Sequence, residues 1–186
     1  VGRVLRGRCV GDDVASDHRA AKKVVNPRYT AILCRRHVAS FTAVCPLEQH
    51  PLLGVRYVQG TRQLGAPDLV ILPGTKNTMD DLRGLRESGL EAAVLRLSAA
   101  GTPVLGVCGG YQMLGEQLCD PAGEESGTPC TLRGLGLLPT TTVFGTETHL
   151  TQTAACVTTE PFSGATMAGS EIPARRHAAR GTEASI

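Results

Sequence analysis

The 186 residues include no Trp, three Tyr and three Phe, so aromatics make up 3% of the chain. A core without aromatic bulk must be filled by Leu, Val, Ile and Ala, and with 41% hydrophobic and 19% charged residues there is enough material for one. Long apolar runs are also missing. No stretch approaches the ~18 uninterrupted apolar residues of a membrane span, and no apolar run follows the N-terminal arginines as it does in a signal peptide. A soluble, cytoplasmic chain with no membrane partner is expected. The seven cysteines, at 9, 34, 45, 108, 119, 130 and 156, contain no Cys-x-x-Cys pair and no regular spacing. That pattern argues against a disulfide framework and against a zinc site, so no metal is expected. The sequence Gly-x-x-x-x-Gly-Lys followed by Ser or Thr, the loop that wraps nucleotide phosphates, does not occur.

The net charge of +2 is unevenly spread. Residues 1 to 36 carry nine Lys and Arg against three Asp, whereas the remaining residues carry 10 basic and 14 acidic side chains. No aromatic series interleaves these basic residues, so they read as a solvated linker rather than a nucleic-acid surface. Residues 1 to 28 show neither helical nor strand periodicity and form a lead-in. A single domain follows over 29 to 173, and 174 to 186, rich in Ala and Arg, reads as an irregular tail.

Within the domain, Tyr29 to Cys34 and Val55 to Val58 suit buried strands. Asp68-Leu69-Val70-Ile71-Leu72, stopped by Pro73-Gly74, is the strongest strand signal. Its four consecutive apolar residues imply that both sheet faces are covered, as in a parallel sheet. Thr78 with Asp81 three residues on resembles a capping box opening a helix, and Leu90, Ala93, Val94 and Leu97 mark a second helix. Pro103 to Val107 is a further buried strand, followed by a helix from Gly109 to Leu118. Residues 120 to 129 read as a loop and 148 to 159 as a late strand. The alternation predicts an α/β fold, a doubly wound and mostly parallel sheet with flanking helices.

The chemistry concentrates in Gly106-Val107-Cys108-Gly109-Gly110-Tyr111-Gln112, where a strand turns into a helix. A reactive residue on such a sharp turn needs small residues two positions to either side, and Gly106 and Gly110 meet that need. The helix N-terminus favours a thiolate, and the Gly109 amide points toward the oxyanion formed when the thiolate attacks a carbonyl. At the end of the neighbouring strand, Gly74 permits close backbone approach and offers a second amide. Two glycine-rich strand ends at one sheet edge are where α/β folds bind ligands.

Three motifs carry a resemblance: Pro73-Gly74-Thr75-Lys76-Asn77-Thr78, then Gly106 to Gly115, then Gly134-Leu135-Gly136-Leu137-Leu138-Pro139. Together they resemble the glutamine amidotransferase domain of cobyric acid synthases, within the class I amidotransferases, over roughly residues 29 to 172. Phe41-Thr42 with Pro46-Leu47 looks like an altered form of that family's Asn-Phe-Thr-Asp segment. The resemblance implies a glutaminase with Cys108 as nucleophile, an oxyanion hole from Gly74 and Gly109, and Gln112 helping to hold the substrate glutamine. It implies no cofactor in this chain, since ATP and magnesium serve a separate synthetase half. That half amidates a corrinoid acceptor, adenosylcobyrinic acid a,c-diamide. The Pro-Gly-Thr-Lys-Asn-Thr run speaks for this acceptor over a cell-wall peptide or cobyrinic acid. One departure is chemical: the family pattern Gly-Tyr-Glu-Ile-His-Met-Gly aligns with Gly169-Ser170-Glu171-Ile172-Pro173-Ala174-Arg175. Pro173 stands where the family has its catalytic histidine, and His177 is the candidate substitute base. The alternative is an impaired amidotransferase-like chain that binds glutamine or a synthetase partner without turnover.

Overall fold

The computed structural model describes residues 28–34, 45–145, 151–156, 164–171 and 175–179. Four parallel strands, β1 (Arg28–Leu33), β2 (Leu53–Val58), β3 (Leu69–Leu72) and β4 (Val104–Gly106), form the main sheet in the order β2-β1-β3-β4. This is a doubly wound order, in which the chain reverses direction of travel between β1 and β3, and it confirms the α/β expectation. Both faces of the sheet are covered, as the apolar runs required. Ala31, Leu33, Val70 and Leu72 pack with Met79, Leu82, Leu85, Leu90, Val94, Met113 and Leu114. These come from helices α3 (Thr78–Glu87), α4 (Leu90–Ala99) and α5 (Gly109–Leu114). The short α2 (Thr61–Leu64) adds Leu64 to this same core, while on the opposite face Ile32 and Ile71 are buried with Leu47 of α1 (Cys45–Glu48) against them. Burying each of the Leu, Ile, Val and Met side chains among these is worth about 1.5 to 3 kcal/mol, so strands as short as the three residues of β4 suffice to hold the sheet.

The strands after α5 do not extend the main sheet. β5 (Gln117–Asp120), β6 (Cys130–Arg133), β7 (Thr140–Phe144) and β10 (Arg175–Ala179) build a second, mixed sheet in the order β10-β7-β5-β6. β8 (Thr151–Cys156) pairs antiparallel with β9 (Thr166–Glu171).

Four local expectations are revised. Helix α3 is capped by Asn77, whose side chain accepts the Asp80 N–H at 2.9 Å. Thr78 does not cap because its hydroxyl is committed to another helix, as described below. Helix α5 stops at Leu114 rather than Leu118. A Cβ on Gly115 would lie 2.6 Å from the Thr140 carbonyl oxygen, so the chain is drawn straight into β5 by close backbone packing, with the Glu116 N–H donating to that carbonyl at 2.7 Å. The tail is not irregular throughout: Arg175–Ala179 forms β10 by pairing with β7, an edge position supplied by tertiary structure rather than by local pattern. Arg28, placed in the lead-in, opens β1; the rest of that segment lies outside the described residues, as do Phe41 and Thr42.

Candidate active site

Cys108 leaves β4 at φ 52° and ψ −114°, and it is the only non-glycine residue with positive φ among the described residues. Holding a side chain in this region costs of the order of 1 to 3 kcal/mol and persists only where the surroundings enforce it. Here they do. The Val107 N–H donates to the Leu72 carbonyl at 2.9 Å, tying β4 to β3 immediately before the turn. The Gly110 N–H donates to the Val107 carbonyl at 2.9 Å and the Gln112 N–H to the Cys108 carbonyl at 3.2 Å, which closes the turn. The thiol is left exposed at the carboxyl end of the sheet.

The flanking glycines match their expected role. A Cβ on Gly106 would sit 2.5 Å from the Tyr111 Cα, and one on Gly110 would sit 1.9 Å from the Leu72 carbonyl oxygen. Gly109 is buried against the loop leaving β3; a Cβ there would lie 2.5 Å from Thr75 Cγ2 and 3.1 Å from the Thr78 hydroxyl. Gly74, buried, belongs to that same loop, while Lys76 is exposed. Cys108, Gly109, Gly74 and Gln112 are thus gathered at one end of adjacent strands. Gln112 is 3% exposed, and its Oε1 accepts a hydrogen bond from Thr78 Oγ at 3.2 Å. His177 is on β10, in register with Thr142 of β7. Pro173 lies outside the described residues.

Sequence patterns missed a polar network behind the loop. Thr75 donates its hydroxyl to the buried carboxylate of Asp81 at 2.6 Å, pinning the loop to the first turn of α3. The fully buried Asp120 accepts the N–H groups of Glu124, Glu125 and Ser126 at 2.8, 2.9 and 3.0 Å, and the Ser126 hydroxyl at 3.0 Å. The residue it anchors, Glu125, accepts the Thr78 N–H at 2.7 Å. The polar composition of residues 120 to 129 signalled a loop. Nothing local signalled where it docks.

Burial pushes the Asp120 carboxyl up, but the amides of Ser126, Glu125 and Glu124 and the Ser126 hydroxyl outweigh it, so its pKa falls below the ordinary aspartate value. A depressed folded-state pKa means stability that is present above the unfolded value, near pH 4, and lost as pH drops through the folded value. Asp120→Asn is therefore expected to lower the unfolding temperature at neutral pH, with the gap to the parent chain narrowing below about pH 4. Thermal unfolding followed from pH 7 to pH 2 measures this, and a gap independent of pH would contradict it.

A family model described as the CobB/CobQ-like glutamine amidotransferase domain matches residues 30–182. The chain belongs to this family. Curated relatives include a cobyric acid synthase of Lachnoclostridium phytofermentans, 44% identical over 138 residues, which are 74% of this chain and 26% of the relative. A cobyric acid synthase of Ruminiclostridium cellulolyticum is 49% identical over 117 residues, 63% of this chain and 22% of that one. A probable cobyric acid synthase of Methanocella arvoryzae is 47% identical over 128 residues, 69% and 25% respectively. The chain thus spans about a quarter of the length of these relatives. A solved structure titled as a glutamine amidotransferase superposes with a TM-score of 0.55 at 19% identity, covering 77% of this chain and 70% of its own, and supports the fold. Among the described residues, no helix of this amidotransferase domain is long and apolar enough to cross a membrane.

Proposed function

We propose that this domain is the glutamine-hydrolysing part of a cobyric acid synthase. The observation that carries the reading is the enforced positive-φ turn at Cys108, which exposes a thiol beside buried glycine amides. In this reaction the Cys108 sulfur attacks the side-chain carbonyl carbon of glutamine, and the amides of Gly109 and Gly74 stabilise the oxyanion. The tetrahedral intermediate collapses, the carbon–nitrogen bond breaks, and the nitrogen leaves as ammonia after accepting a proton. Water then hydrolyses the thioester, releasing glutamate and restoring the thiol. Gln112, one helical turn beyond Cys108, helps hold the substrate glutamine. The ammonia serves amidation of adenosylcobyrinic acid a,c-diamide in cobalamin biosynthesis, with ATP and magnesium bound by the synthetase part.

A second reading rests on Pro173: a domain that binds glutamine or its synthetase partner without turnover. Only His177 is left near the family's position to act as base. Incubation with glutamine separates the readings. Turnover predicts ammonia release that Cys108→Ala reduces to background, whereas equal rates for the parent and Cys108→Ala leave the binding role.

A further inference from the structure

The geometry points to Glu125 as a positioning residue for the oxyanion-hole loop, an inference that rests on the glutaminase reading above. Between β3 and α3, the chain of 73 to 77 carries Gly74, and its inner side is set by Gly109 and by the Thr78–Gln112 hydrogen bond. Its outer side is set by the turn between β5 and β6. There the Glu125 carboxylate accepts the Thr78 N–H at 2.7 Å, and the Glu125 carbonyl accepts Asn77 Nδ2 at 3.1 Å. Both contacts land on the two residues where the loop becomes helix.

Helix capping alone does not account for this pair. Asn77 already satisfies the Asp80 N–H, and the Asn77 amide nitrogen also meets Asp80 Oδ2 at 3.1 Å. Glu125 takes the amide of the first helical residue, which no intrahelical carbonyl can reach, and places a negative charge at the positive end of a ten-residue helix. Its backbone is itself immobilised, because Asp120 holds three consecutive amides of that turn. A fixed turn, closed by the Gly127 N–H donating to the Gly123 carbonyl at 2.9 Å, therefore clamps the start of α3, and through it the height of Gly74 relative to Cys108. Oxyanion donors act over a narrow distance range, and a shift of about 1 Å in a positioned group can cost up to about 10² in rate.

The test compares Glu125→Ala with Glu125→Gln, which keeps an acceptor oxygen. Hydrogen exchange at the Thr78 amide reads the clamp without any chemistry. Labelling of Cys108 reads its consequence, using a diazoketone analogue of glutamine, which needs the formed site, and iodoacetamide, which needs only an accessible thiol. In Glu125→Ala the Thr78 amide is expected to exchange at least about tenfold faster. Analogue labelling is expected to fall about tenfold while iodoacetamide labelling stays within about twofold, and Glu125→Gln recovers most of the loss. Unchanged Thr78 exchange, equal losses with both reagents, or no recovery in Glu125→Gln would each overturn the inference. Failure of glutamine to protect the parent chain from the analogue defeats the glutaminase reading instead, and the exchange measurement keeps the two failures apart.

Discussion

Pro173→His is expected to raise ammonia release from glutamine by about 10² to 10⁴, the usual contribution of a positioned general acid–base group. Thiol attack needs a proton acceptor, and the departing nitrogen needs a proton returned to it. An imidazole performs both steps near neutral pH because it exchanges its proton there. A proline ring within the chain has no titratable group and performs neither. The gain should appear in kcat with KM little changed, since the proton transfers develop in the transition state and contribute little to holding glutamine. Steady-state ammonia measurements on the parent, Pro173→His and His177→Ala chains decide the matter. If His177 already serves as base, His177→Ala abolishes the parent's activity and Pro173→His adds little. If no base is in place, the parent stays near the Cys108→Ala background and Pro173→His departs from it. A parent at background and a Pro173→His chain equally silent would remove the missing imidazole as the explanation of impairment.

The elbow was legible because its residue pattern is local, even though part of the packing that demands the pattern is not. Gly106, Cys108 and Gly110 are two residues apart, and the steric demand each glycine meets comes from the strand-to-helix turn itself or from the strand beside it. The buried run Leu69 to Leu72 was legible for a similar reason, since alternate residues face opposite sides and both sides were apolar. What escaped depended on distant partners. Thr78 and Asp81 fit a capping box by spacing, yet the Thr78 hydroxyl is drawn to Gln112, 34 residues on, and Asp81 to Thr75, leaving Asn77 to cap. Glu125 reaches Thr78 across 47 residues, a contact no window of sequence contains. Strand β10 escaped because Ala and Arg carry no strand signal, and its hydrogen bonds come from β7. The strained turn at Cys108 was thus readable from the chain, whereas the packing that supports its surroundings was written in contacts between segments.

Gly110→Ala is expected to destabilise the protein by roughly 3 kcal/mol, lowering the unfolding temperature by about 10 °C for a chain of this size. A methyl group there would meet the Leu72 carbonyl oxygen at 1.9 Å, the Leu72 carbonyl carbon at 2.6 Å and the Pro73 carbonyl oxygen at 2.9 Å. All three atoms are backbone, so no side chain can rotate aside, and relief requires α5 and the end of β3 to separate. That separation breaks the bond from the Val107 N–H to the Leu72 carbonyl, which holds the strand end next to Cys108. Its loss adds about 1 kcal/mol. The helix propensity gained by replacing Gly with Ala, also about 1 kcal/mol, offsets only part of the total. Gly60→Ala is the matched control, because a Cβ there meets nothing within 4 Å and its φ of −154° is ordinary extended backbone. It is expected to change stability by less than about 0.5 kcal/mol. If thermal unfolding put the two variants within about two degrees of each other, the close approach of α5 to β3 would not be what enforces the turn at Cys108. The expected separation instead ties the exposed thiol's geometry to a single missing methyl group two residues away.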